Sequence, residues 1–71
     1  MYIIRRCRNP EDVIAYLNAM ERAEAEVVSV IYSDARFNSS DILGEKFFIF
    51  ARVRDEDHMV KIDAYYCGYI P

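Results

Sequence analysis

Residues 46–54 read Lys-Phe-Phe-Ile-Phe-Ala-Arg-Val-Arg, and this run constrains the fold more than any other feature. Side chains alternate across a strand, so Phe47, Ile49, Ala51 and Val53 make one wholly apolar side. The opposite side, Lys46, Phe48, Phe50, Arg52 and Arg54, sets two aromatic rings among cations. A strand that is greasy on both sides wants cover on both. A chain of 71 residues has little to cover it with.

The clearest local signal elsewhere is Asn9-Pro10-Glu11-Asp12. Asn caps helix N-termini, Pro is preorganised for the first helical position, and acids favour the positive end of the helix. The spacing of Val13, Leu17 and Met20 carries the helix from Pro10 to about Glu24. The remaining apolar segments read as strands: Met1–Cys7, the β-branched run Glu26–Ser33, Lys46–Arg54, and Met59–Tyr66 after a hairpin turn at Asp55–His58. Asp34–Glu45 is a polar connection, and Cys67–Pro71 a tail. The expected fold is a single α+β domain over residues 1–71, in the order β-α-β-β-β. One helix packs on one face of a mainly antiparallel four-stranded sheet.

Four strands about 4.8 Å apart are wider than one helix, and that helix leaves the second face bare. Strict alternation puts Val27, Ile31, Phe48, Phe50, Met59 and Tyr65 on that bare face. Together they exceed the apolar patch of roughly 300–600 Å² normal for a monomer. With Tyr69 from the tail, these residues are the candidate interface. A second copy of the chain is the simplest cover and a different protein the next; the alternative is that the Asp34–Glu45 connection folds back over the face through Phe37, Ile42 and Leu43.

Charge is segregated. The total is −3, but residues 1–10 carry Arg5, Arg6 and Arg8 and no acid, whereas residues 11–34 carry six acids against Arg22. An acidic total makes nucleic acid an unlikely partner, since such binding rests largely on neutralising phosphates. It still permits a local site for a small, nucleotide-like anion, with Arg5, Phe48, Phe50, Arg52 and Tyr65 as its candidates if Ile4 is the inward residue of the first strand. The competing reading pairs those cations with Asp63 or with a partner's acidic helix.

Little in the chain points to catalysis. His58 has no recognisable nucleophile or orienting partner, and with only two glycines there is no phosphate-cradling loop. Asp55-Glu56-Asp57-His58 cannot converge on one metal from four consecutive turn positions. No enzyme activity, metal or cofactor is therefore expected. Cys7 and Cys67 share the bare face by parity, so a disulfide between them is possible, but free thiols fit better in a chain with no secretory leader. The longest apolar run, Phe47–Ala51, is far short of the roughly 20 residues a membrane helix needs. A cytoplasmic domain without membrane contact is the expectation.

A strand, a Pro-capped helix and then Ala25-Glu26-Val27-Val28-Ser29-Val30 before a hairpin resemble a group of small bacterial and phage β-α-β-β domains of unknown function, some of them associated with sporulation. The likeness covers residues 1–54. It implies a non-enzymatic accessory protein, of a kind that phages also encode, that acts by binding, and it carries over no site residues. The expected function is thus a small interaction module that self-associates and binds or inhibits a protein partner. The alternative is an oligomeric protein that sequesters an anionic small molecule.

Overall fold

The computed structural model describes residues 1–33 and 47–70. Its elements are β1 (Tyr2–Cys7), α1 (Pro10–Arg22), β2 (Glu26–Tyr32), β3 (Phe47–Arg52) and α2 (Glu56–Cys67). The sheet order is β1-β3-β2, with β3 antiparallel to both neighbours. β1 and β2 therefore run parallel to each other with the later strand between them.

Helix α1 starts as its sequence dictates. The Asn9 side chain accepts a hydrogen bond from the Asp12 N–H at 2.9 Å, and Pro10 opens the first turn. At the other end the chain leaves through Glu24, at φ 59° the one non-glycine in the left-handed region among the described residues. That conformation costs roughly 1 kcal/mol or more for a residue with a side chain.

Two helices and three strands replace the expected one helix and four strands. The segment read as a hairpin turn and fourth strand is helix α2. Asp55 caps it by accepting from the His58 N–H at 2.9 Å, and Glu56 and Asp57 sit in the first turn. Gly68, at φ 82°, ends it, with the Tyr69 N–H reaching back to Ala64 O at 2.9 Å. These are the usual start and stop signals of a helix. Residues 58, 60 and 62 would share one face of a strand, yet His58 and Ile62 are buried while Val60 is 59% exposed, which is the helical pattern. The proposed Asp34–Glu45 connection lies outside the described residues.

Both helices pack on one face of the sheet. Ile3 and Cys7 of β1, with Ile49, Ala51 and Val53 at and after β3, join Val13, Ala19, Met20, Ala23 and Ile62 in one buried cluster. β1 is thus turned the opposite way from the reading that made Ile4 inward. Ile3, Arg5 and Cys7 face the helices, so neither Arg5 nor Cys7 belongs to the open face. Arg5 is tolerated there because Asp63 of α2 meets it in a two-point ion pair, Nε to Oδ1 at 2.9 Å and Nη2 to Oδ2 at 2.8 Å. Both cysteines are free, Cys7 buried and Cys67 exposed.

The α1–α2 seam is aromatic. Tyr16 and Tyr66 stack with ring centroids 3.7 Å apart, and the Arg22 guanidinium lies 4.5 Å over the Tyr65 ring. Burial, reinforced by the Asp63 charge and opposed by Arg5, pushes the Tyr16 phenol up to about 12. Burial and then Asp12 raise Tyr66 as well. A phenol whose pKa is raised on folding favours the folded state fully below its unfolded value near 10 and loses that contribution as pH climbs to the folded value. The urea midpoint should therefore hold steady to about pH 9 and fall between about pH 10 and 12. In Tyr16→Phe the fall should be shallower; an equally steep fall would count against this account of the seam.

Candidate functional site

The face turned away from the helices forms a three-by-three grid set by the strand register. One row is Tyr2, Arg52 and Glu26; the next is Ile4, Phe50 and Ser29; the third is Arg6, Phe48 and Ile31. Two phenylalanines at alternate positions of the central strand hold the middle, with apolar neighbours beside them. Arg6 and Arg52 stand at opposite ends. Neither described helix covers this face, since both contribute to the cluster on the other side.

Strand β2 departs from ordinary strand burial. Among the described residues it is an edge strand, bonded to β3 on one side only. Its large residues are exposed on both faces, from 38% for Val27 to 58% for Tyr32. The cause is lateral: Val30 and Tyr32 pair with Ile49 and Phe47 on the helix side, yet helix cover does not reach far enough to bury them. A β-bulge between Val27 and Ser29 shifts the alternation. From Val27 to Tyr32 the strand carries no charge. The other edge, β1, carries Arg5 and Arg6.

Of the candidate interface residues, Ile31, Phe48 and Phe50 meet on the open face. Val27 does not: the bulge pairs it with Ala51, a helix-side position. Met59 and Tyr65 lie on α2 against the core, and Tyr69 follows its C-cap, because the fourth strand that would have brought them to the open face is a helix. The small-anion set is likewise split. Arg52, Phe48 and Phe50 share the face; Arg5 is bound to Asp63 and Tyr65 is in the helix seam. Tyr2, Ile4, Arg6, Val28, Val30 and Tyr32 were not foreseen. The signal for the first three was Cys7, a residue type usually buried, which fixes the parity of β1.

An open cleft of about 500 Å³ lies at one end of the sheet, lined by Met1, Glu24, Glu26, Arg52, Val53, Arg54 and His58. Its charges are mixed. The His58 ring is fully engaged: Nε2 lies 2.6 Å from Ala23 O and Nδ1 accepts from the Arg54 N–H at 3.1 Å. With Nδ1 accepting, Nε2 carries the proton and donates it to the carbonyl. An imidazole held this way has no lone pair left for a substrate. Among the described residues, no group of three or more His, Cys, Asp or Glu side chains gathers to hold a metal ion, and no helix is long and apolar enough to cross a membrane.

Comparison with known protein families, curated proteins and solved structures finds no match to this chain. Its candidate site is therefore defined by its own geometry, as two adjoining surfaces: the neutral β2 edge and the Phe48–Phe50 face.

Proposed function

We propose that the protein is a non-enzymatic interaction module that self-associates edge to edge through β2 and presents the Phe48–Phe50 face to a partner. The observation that carries this reading is the β2 edge: unpaired on one side among the described residues, apolar, exposed on both faces and uncharged over Val27–Tyr32. Natural proteins guard such edges with charges, prolines or short strands, and an unguarded one is a template for another strand. β1 is guarded by its arginines; β2 is not. Antiparallel pairing of β2 with its own copy about a two-fold axis joins two sheets into one of six strands. The exposed valines and Tyr32 of each copy then cover each other, and the free backbone groups along the edge find partners. The bulge narrows the choice of register, which favours one closed dimer over open-ended stacking.

The double variant Val28→Lys/Val30→Lys tests this. Both residues are exposed, so the monomer fold should tolerate lysine, with an unchanged far-UV circular dichroism spectrum. Each lysine would face a like charge across the axis, at several kcal/mol, so the dimer should weaken by roughly 100-fold or more. In sedimentation analysis the parent chain should run at twice its own mass and the variant at the monomer mass. A parent chain that stays monomeric at the highest attainable concentration would remove the proposal.

A further inference from the structure

We infer that the open sheet face is a stacking platform for single-stranded nucleic acid, with Phe48 and Phe50 as the base-stacking rings and Arg52 as the phosphate contact. The inference names the partner of the proposed module, but it rests on the open face and not on pairing through β2.

Three observations converge on that ligand. The first is ring placement. Phe48 and Phe50 are two residues apart on the central strand, about 6.6 Å along it, with only the short side chain of Ser29 and the aliphatic Ile4 beside Phe50. Two partly exposed rings in file suit two successive planar groups, and successive bases of an unpaired strand stack on aromatic side chains in this manner.

The second is charge. The total of −3 misrepresents this face. Among the described acids, Glu26 is the one that stands on a strand; the others lie on the two helices, in their capping turns or beside them. The grid thus holds two arginines to one carboxylate: Arg52 follows Phe50 along the file, with Glu26 opposite it on β2, and Arg6 stands beside Phe48 on β1. Arg52 is exposed and makes no ion pair with any described residue. Its planar fork suits phosphate oxygens.

The third is size and shape. Three strands of about six residues span roughly 14 × 20 Å, or about 300 Å² in projection. A stable protein–protein interface buries about 800 Å² per partner, so the face is too small to hold a folded partner by itself. A small molecule generally needs a concave site, whereas this face belongs to an open sheet. A flexible polymer that lays down two or three units fits that area. A second copy stacked on the same face would bring four arginines into one apolar contact.

The test is fluorescence anisotropy with labelled oligothymidylate and oligouridylate of about 15 nucleotides, near the upper footprint of single-strand platforms, and a duplex of equal length. Both single strands should bind and the duplex should not. Phe48→Ala and Phe50→Ala should each weaken binding about tenfold, while Phe50→Tyr, which keeps the ring, should bind like the parent. With Arg52 as the phosphate contact, the logarithm of affinity should fall with that of salt at a slope near −0.7. Failure of either single strand to bind at high protein concentration overturns the inference. So does equal binding by folded Phe48→Ala and Phe50→Ala, or a change in oligomer mass in those variants, which would make the face a contact between copies. The Val28→Lys/Val30→Lys monomer should retain binding per chain; a dimer that binds no strand refutes only this inference, and a monomer that binds refutes only the edge pairing.

Discussion

Replacement of His58 by phenylalanine should lower folding stability by about 2–4 kcal/mol, although the new ring fills a similar space. His58 is 4% exposed, and its two ring nitrogens tie separate pieces of backbone together. Nε2 holds the carbonyl of Ala23 at the end of α1, and Nδ1 takes the N–H of Arg54 ahead of α2. Phenylalanine leaves that carbonyl and that N–H unpaired, at about 1–3 kcal/mol for the buried carbonyl and less for the part-buried N–H. A chain of 71 residues has roughly 4–10 kcal/mol of stability to lose, so the variant should be visibly close to unfolding at room temperature. Urea titration followed by circular dichroism reads the change. A loss below about 1 kcal/mol would mean that water replaces the imidazole at both groups, and His58 would return as a candidate for chemistry in the adjoining cleft.

The second large effect belongs to Ile62, which is fully buried between α2 and the rest of the core. Ile62→Ala should cost about 2–5 kcal/mol, the range for emptying a packed aliphatic site. Its counterpart is Val60→Ala, at a position 59% exposed, which should be neutral or slightly stabilising because alanine is the better helix former. The pair distinguishes two secondary structures. On a strand, residues 60 and 62 share a face and the two substitutions would hurt together. On the helix they lie on different sides, and only one should. Comparable losses from both would overturn the assignment of this segment to α2.

The parts of this fold legible in the sequence were those whose cause is local. Asn9-Pro10 announces α1 because the cap, the ring constraint and the acids all act within one turn. The two sides of β3 follow from simple alternation. What escaped had a distant or competing cause. Met59–Tyr66 alternates well enough to pass for a strand, and only Asp55 before it and Gly68 after it, taken together, mark a helix. The parity of β1 is hidden in the sequence, because turning Ile3 and Cys7 inward also turns Arg5 inward, which is favourable only with Asp63 there to meet it. That partner is 58 residues away in sequence and sits on the element that was misread. The bulge in β2 moved Val27 off the open face, and no residue within the run reports a bulge before its pairing is known.

The place of β3 between two earlier strands also sets an order of events. β1 pairs with β3 across 40 to 50 residues of sequence, from Cys7 with Phe47 to Tyr2 with Arg52. While the chain emerges from the ribosome, both outer strands are finished before the one that joins them exists. For that interval β2 lacks even β3 beside it, so nascent chains on neighbouring ribosomes can zip together through the strand whose outer margin no described residue pairs.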